Sequence, residues 1–442
     1  MVGSLIQNGD RVPLKNKVGD NKGKLKVLTL ARNYPNSEFP RLGLWTERLV
    51  LSTSDSCETK VIAPVPYCPP LPGSFSYTRF RRVPFHESTN SMEIFHPRFV
   101  TGPGYSLHSL ESVPYYFGVI RLVKRIRKSF QFDLIHAHFS YPDGVVAAVL
   151  GRHFKVPVVI TEQAEWRPWM DNYPLVKKQV FWAARNCESI VAVSSTHRKS
   201  IVHFIGDSDR VRMIPNLVDG TVFTLKDDAE EIPTGNRILF VGLIRKVKGL
   251  DVLLRAIRLL LDWKCSVKLA IVGESFYEGY RKDYSESVGL VETLDLTNAV
   301  EFLGPKSPSE VAQEIQRSSL LVLPSRRETF GAVLAEALAC GKPIVATRCG
   351  GPEDIINDAV GVLVPVEDPE ALARGIQTVL ERRKGFDPSK LRAYALDNFG
   401  AEKVGQSIAA LYAKALESFD QKQRCKLHPE PFAKSIPDES AG

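Results

Sequence analysis

The stretch SLLVLPSRRETFGAVLAEALACGKPIVAT, residues 319–347, reads as a strand, a loop, a short helix and a second strand. SLLVLPS (319–325) and KPIVAT (342–347) are aliphatic runs bounded by turn residues, the pattern of parallel strands buried on both faces. From Gly331 to Gly341 runs an apolar helix with one charge in it, Glu336. A carboxylate among core-type side chains needs a partner or a shifted pKa, because burying a bare charge is very costly. Two partners fit: a nearby Arg or Lys, or the paired hydroxyls of a ribose, which a carboxylate accepts from well. At the head of the helix the backbone N–H groups of Thr329, Phe330, Gly331 and Ala332 make a phosphate site with the positive end of the helix dipole. Gly331 lets a ligand come close to the backbone, and Glu328 stands just ahead of it.

Working outward, the same alternation covers most of the chain. LKVLTLA (25–31), DLIHAH (133–138), VPVVITE (156–162) and SIVAVS (189–194) form one series of strand-like runs separated by helical patterns. RILFVGL (237–243), VKLAIVG (267–273), AVEFLG (299–304) and GVLVPV (361–366) join the two opening runs in a second series. Two such series predict two doubly wound α/β domains whose strand ends face a common cleft. The expected divisions are a disordered lead-in over 1–24, an N-terminal domain over 25–215, a linker over 216–236 and a C-terminal domain over 237–400. A last helix over 401–420, which pattern alone does not place, and a disordered tail over 421–442 complete the chain.

Composition narrows the class. At 442 residues, 44% hydrophobic and 24% charged, the chain fits an ordinary globular protein of two large domains. The polar start has no apolar signal-peptide core, and no run approaches the roughly 18 apolar residues of a membrane span. A cytoplasmic location is expected. The seven scattered cysteines form no CxxC pair, which argues against a disulfide framework and a zinc site. A net charge of +8 favours anionic partners without choosing among them.

Five motifs in order give a wider likeness. E-x7-E (Glu328, Glu336) is followed by GKPIVAT and GGPEDII (350–356). VGLIRKVKG (241–249) is similar to a VGxLxxxKG turn, IPNLVD (214–219) to IPNGVD, and HAHFSYPDG (136–144) and FPRLGLW (39–45) complete the set. Over roughly residues 25–420 the chain resembles the retaining glycosyltransferases of family 4 (group 1). Its N-terminal half is most similar to transferases of bacterial polysaccharide and teichuronic-acid synthesis. The resemblance implies the GT-B fold, two Rossmann-like domains facing a central cleft. It also implies sugar transfer from a nucleotide-sugar donor, a UDP-sugar being expected, to a carbohydrate or lipid-linked acceptor, with no metal required. Lys248 would meet the donor diphosphate, in the turn that begins at Gly242. Glu328 would touch the sugar beside the amides of Thr329, Phe330, Gly331 and Ala332. Glu336 would take the ribose hydroxyls, Leu303 would pack near the base, and Gly43 would let the N-terminal domain approach the diphosphate.

Two departures stand out. Where the family often has Arg after the glycine of VGxLxxxKG, this chain has Leu243, leaving Arg245 or Lys246 to supply a second cation. Where the family often reads TxH, this chain reads TEQ, so Gln163 can hydrogen-bond a hydroxyl but cannot act as a general acid or base. His138, at the end of a strand, is a candidate for lining the cleft; a satisfied structural histidine is the alternative. Asp207-Ser-Asp209 spells a metal-binding DxD, yet its polar setting reads as a solvated turn. In GVIRLVKRIRKSF (118–130), Ile120, Val123, Ile126 and Phe130 share a stripe amid basic residues. A packed surface helix is the favoured reading, with peripheral contact with an anionic membrane as the second. Rival functions are a nucleotide-sugar epimerase or hydrolase of the same fold, and a basic polyanion-binding protein. Nucleic-acid motifs are not recognisable.

Overall fold

The protein was studied as a computed structural model, which describes residues 23–68, 78–89, 92–102, 108–165, 169–225, 235–273 and 281–427. The expected disorder of the lead-in and of the last residues falls mostly outside them. In chain order the first half contains β1 (Leu25–Leu30), α1 (Leu44–Ser52), β2 (Cys57–Ile62), β3 (Val65–Tyr67), β4 (His86–Thr89), β5 (Met92–Phe95) and β6 (Arg98–Val100). It continues with α2 (Ser112–Ser129), β7 (Leu134–His138), α3 (Val145–Phe154), β8 (Val158–Thr161), α4 (Pro174–Arg185), β9 (Ser189–Ala192), α5 (Ser195–Ile205) and β10 (Val211–Met213). The second half runs β11 (Asn236–Val241), α6 (Leu250–Asp262), β12 (Val267–Val272), α7 (Arg281–Thr293), β13 (Val300–Gly304), α8 (Pro308–Gln316) and β14 (Leu320–Leu323). It ends with α9 (Ala332–Ala339), β15 (Ile344–Thr347), β16 (Gly361–Val364), α10 (Pro369–Glu381), α11 (Pro388–Phe399) and α12 (Ala401–Leu427).

The first sheet has the order β10-β9-β8-β7-β1-β2-β5-β4 and the second β13-β12-β11-β14-β15-β16. Every pairing in them is parallel except that of β4 with β5. β7, β8, β9, β14 and β15 are buried at every residue, as strands with helices packed on both faces are. Strand order reverses between β1 and β7 and again between β11 and β14. At such switch points the connections leave to opposite faces, and the carboxyl ends open a crevice.

The last helix returns to the first half. Val404, Ile408, Leu411, Tyr412 and Ala415 of α12 pack with Val27, Leu49, Leu134 and Val159 in one buried cluster. The Tyr412 hydroxyl lies 2.7 Å from His136 Nδ1. The helix runs to Leu427, so the tail expected to be disordered from residue 421 is helical at its start. α2 follows the packed-helix reading: Val123, Ile126 and Phe130 are buried in the first core, and Tyr115, Val119 and Leu122 join them.

Candidate functional site

Two loops meet at the switch point of the second sheet. After β11 the chain makes a 3-10 turn, Lys246–Lys248, and then passes Gly249 at φ +67°. A Cβ on Gly249 would lie 2.0 Å from the Pro324 carbonyl oxygen, so only glycine lets this turn sit on the end of β14. Arg326 fastens the two loops from the other side. Its N–H donates to the Val247 carbonyl at 2.8 Å, and its guanidinium forks onto Asp251 at 2.9 and 2.8 Å and reaches Glu367 at 2.8 Å. The product of this stapling is an ion pair: Lys248 Nζ lies 2.5 Å from Glu328 Oε2. Both side chains are mostly buried, which strengthens the attraction and fixes its geometry.

Directly after Glu328 begins α9. Gly331 is its N-cap at φ +92°, and no side chain caps the helix. The loop rests on a floor of two glycines. A Cβ on Gly351 would come within 2.3 Å of Phe330 Cα, and one on Gly350 within 2.9 Å of the Glu328 carbonyl oxygen. The Glu328 N–H donates to Cys349 O at 3.2 Å, and the Gly351 N–H donates back to Glu328 O at 2.9 Å. Ala332 is exposed at the helix start. The Phe330 side chain is not available there: it is buried and meets Phe399 edge-on at 5.6 Å, leaving only its backbone for a ligand.

Glu336 has an arginine for a partner. Arg48 Nη1 lies 3.5 Å from Glu336 Oε1, with 18% and 17% of the two side chains exposed. Burial pushes the Glu336 carboxyl above its ordinary value, and Arg48 draws it back in part. The arginine comes from α1, in the other half of the chain, and its guanidinium stands 5.8 Å from the Phe223 ring. The carboxylate therefore faces the junction between the halves. α1 is aimed by Gly43, at φ +71°, where a Cβ would lie 2.0 Å from Asn33 O. Close packing of the chain on itself thus accounts for Gly43.

The halves touch again at the strand ends. The Thr329 hydroxyl donates to the Gln163 carbonyl at 3.2 Å, Arg327 pairs with Glu165 at 3.0 Å, and the Ser195 N–H donates to Asp354 at 2.6 Å. Glu162, between the T and Q of TEQ, is buried and accepts from the N–H groups of Ser140, Gln163 and Ala164, which shapes the first-half wall. The Gln163 amide itself has no hydrogen-bond partner among the described residues. Arg48, Glu162 and Arg326 were not singled out in the sequence. Only Arg326, two residues before Glu328, carried a local signal.

Other expected site residues are placed differently. His138 is fully buried beside His136, with ring centroids 4.4 Å apart, and neither of its nitrogens has a partner among the described residues. It lines no open surface, nor is it a satisfied structural histidine, and burial with His136 alongside holds it well below its usual pKa. Arg245 lines a cavity of about 270 Å³ with Lys246, Asp251, Asp283 and Glu286, whose lining includes neither Lys248 nor Glu328. Leu243 is 38% exposed. Gly242 directly follows β11, its N–H donating to Val272 O at 3.0 Å, and its carbonyl would stand 1.9 Å from a Cβ on Gly273. Leu303, at the end of β13, packs partly buried on the second core, with β12 between it and β11. Asp207 caps its own turn, accepting from the N–H groups of Asp209 and Arg210. Among the described residues no group of three or more His, Cys, Asp or Glu is arranged to hold a metal ion, and no helix is long and apolar enough to cross a membrane.

Comparison with known proteins shows the family and the fold. The family Glycosyl transferases group 1 matches residues 223–396, and Glycosyltransferase Family 4 matches residues 61–221. An uncharacterized glycosyltransferase of Methanocaldococcus jannaschii is 30% identical over 314 residues, covering 69% of this chain and 83% of that protein. The D-inositol 3-phosphate glycosyltransferase of Acidothermus cellulolyticus is 28% identical over 311 residues, 64% of this chain and 68% of that one. Among solved structures, Anabaena HepE in complex with UDP superposes with a TM-score of 0.66 at 20% identity, over 88% of this chain and 100% of the other. Sucrose-phosphate synthase of Thermosynechococcus elongatus does so with a TM-score of 0.69 at 18% identity, over 89% and 100%. The chain is a group 1 glycosyltransferase, a transferase enzyme of GT-B fold.

Proposed function

We propose that the chain is a retaining transferase that moves a sugar from a nucleotide-sugar donor, with UDP the favoured nucleotide, to a carbohydrate or lipid-linked acceptor of cell-envelope glycan synthesis. The observation that carries this reading is the Lys248–Glu328 pair, 2.5 Å across, set immediately ahead of the uncapped start of α9. A diphosphate laid against the amides of Thr329 to Ala332 would have its charge met by the helix end and by Lys248 together. As the sugar leaves, negative charge builds on the diphosphate. A fixed cation and fixed dipoles stabilise that charge without reorganising at the moment of reaction.

Glu328, held by Lys248, would contact the sugar, and Glu336 the ribose diol. The leaving phosphate would take the acceptor's proton on the face from which the sugar departs, which preserves the anomeric configuration. His138 is too enclosed to share in that transfer. UDP and UDP-glucose bound to the Anabaena structures favour UDP as the nucleotide. The location expected for this reaction is cytoplasmic.

A panel of nucleotide sugars, each followed by NMR with a sugar acceptor, tests the reading. Consumption of a UDP-sugar with a glycoside of the donor's anomeric configuration is expected. An inverted product would rule out retention. Isomerised donor, or free sugar with no glycoside, would favour the epimerase or hydrolase alternative.

A further inference from the structure

The first half carries an exposed apolar face that the transferase site does not use. On α2, Val113 and Phe117 stand one turn apart and are 50% and 68% exposed, while Tyr115 and Val119 between and beside them are fully buried. β6 lies against the same helix: a Cβ on Gly118 would come within 2.6 Å of the Arg98 carbonyl. Phe99 of β6 turns inward and stacks on Tyr115 at 5.4 Å, so Val100 turns outward and is 55% exposed. Val100 is paired in register with Tyr67 of β3, which is also exposed. Adjoining helix and strand pair thus leave four apolar side chains exposed to water.

Cations border this face on two sides. The 3-10 turn Arg79–Arg82 reads RFRR with no acid in it, and all three of its arginines are exposed; Arg79 is paired with Glu38 at 3.6 Å, so Arg81 and Arg82 make the border. The Arg81 guanidinium stands 5.8 Å from the Tyr67 ring and is fixed there by donating to Cys68 O at 2.8 Å. Along the outer line of α2, Arg121, Lys124 and Lys128 follow Phe117 at helical spacing, and all are exposed.

We propose that this face docks on an anionic lipid surface, with Val113, Phe117, Val100 and Tyr67 at the headgroup boundary and the two basic borders over lipid phosphates. An apolar centre with cations around it matches that surface in both polarity and sign. A second copy of the chain would bring like charges together across a two-fold contact. A polyanion would pair the arginines but leave Phe117 and Val113 in water. The docking involves none of the transferase residues, so it stands or falls separately from the proposed reaction. It also moves any membrane contact from the Ile120–Phe130 stripe, which is core, to the opposite side and first half of α2.

Co-sedimentation of the full chain with vesicles tests the proposal, comparing equal parts of phosphatidylglycerol and phosphatidylcholine against phosphatidylcholine alone. Binding to the anionic vesicles only, weakened by salt, is expected. Each basic residue near such a surface raises partitioning about fivefold, so the double change R81Q/R82Q should lower it roughly 25-fold. R81K/R82K should retain it. Phe117→Ser with Val113→Ser should lower it roughly tenfold through lost apolar contact. No preference for anionic vesicles, or no effect of the glutamine variant, would overturn the proposal. Concentration-dependent dimerisation without lipid, abolished by Phe117→Ser, would assign the face to a second copy and overturn it equally.

Discussion

Replacing Arg48 by alanine separates the two partners open to Glu336. Removing one member of a fully buried pair costs about 3–5 kcal/mol, and of a surface pair about 0–1 kcal/mol. Here the charges are 3.5 Å apart and the side chains retain 18% and 17% of their exposure, so a loss of about 1–2 kcal/mol is expected. The loss should depend on pH. Burial raises the Glu336 carboxyl above 4.5 and Arg48 lowers it, so without Arg48 it rises further. An acid raised in the folded state gives its full support to folding below the unfolded value and loses it as pH climbs through the folded one. Arg48→Ala should therefore cost little near pH 4.5 and progressively more above it, read by urea unfolding across that range. UDP binding by calorimetry decides the rest. If the ribose diol takes this carboxylate, Glu336→Gln should weaken UDP about ten- to hundredfold, from a lost charge-assisted hydrogen bond of about 1.5–3 kcal/mol. Arg48→Ala should leave UDP affinity unchanged or tighter, since it frees the same oxygens. Wild-type UDP affinity in Glu336→Gln, with stability lost equally in both variants, would reduce Glu336 to a clasp between the halves.

Three further outcomes follow from the geometry. Lys248→Ala should lower turnover on the order of a hundredfold in a donor-consumption assay, as when one charge-stabilising group is lost; a near-normal rate would mean that another cation meets the diphosphate. Gly249→Ala should cost at least the roughly 1–2 kcal/mol of a left-handed non-glycine residue, plus the clash with Pro324 O, and should unfold at a lower urea concentration than the wild type; an unchanged midpoint would refute this. Asp143 is buried, accepts from the Arg32 N–H and the Tyr115 hydroxyl at 2.7 Å each, and is pushed up to about 7 by burial. Its support for folding is complete below 3.8 and falls as pH rises to about 7, so Asp143→Asn should flatten the stability–pH curve in that window.

The strands that could be read from the sequence are those with helices on both faces. β14 is aliphatic at every position and β15 at all but its last, Thr347, whose hydroxyl donates to the Ser325 carbonyl, because a polar side chain buried there needs such a partner. β2 was missed because CETKVI keeps Glu58 exposed and Lys60 half-buried, which breaks the aliphatic run. The candidate site of the second half could be assembled from the sequence because its parts are local. Glu328, Gly331 and Glu336 lie on one strand–helix connection, and Lys248 precedes the glycine that its turn requires. Partners across the junction were not legible. The spacing of Glu336 says that it needs a charge or a hydroxyl pair, but only the docking of α1 selects Arg48. The amphipathic face of α12 likewise names no partner until it is seen against β1, β7 and β8. His138 could be placed at a strand end, though its complete enclosure depends on how the surrounding loops and helices pack.

Where the nucleotide binds can be read from a crystal structure determined in the presence of UDP. The diphosphate is expected within about 3 Å of Lys248 Nζ and the Gly331 and Ala332 amides, with the ribose diol on Glu336 and Arg48 displaced from it. A diphosphate bound elsewhere, with the Lys248–Glu328 and Arg48–Glu336 pairs both intact, would contradict the proposed donor site.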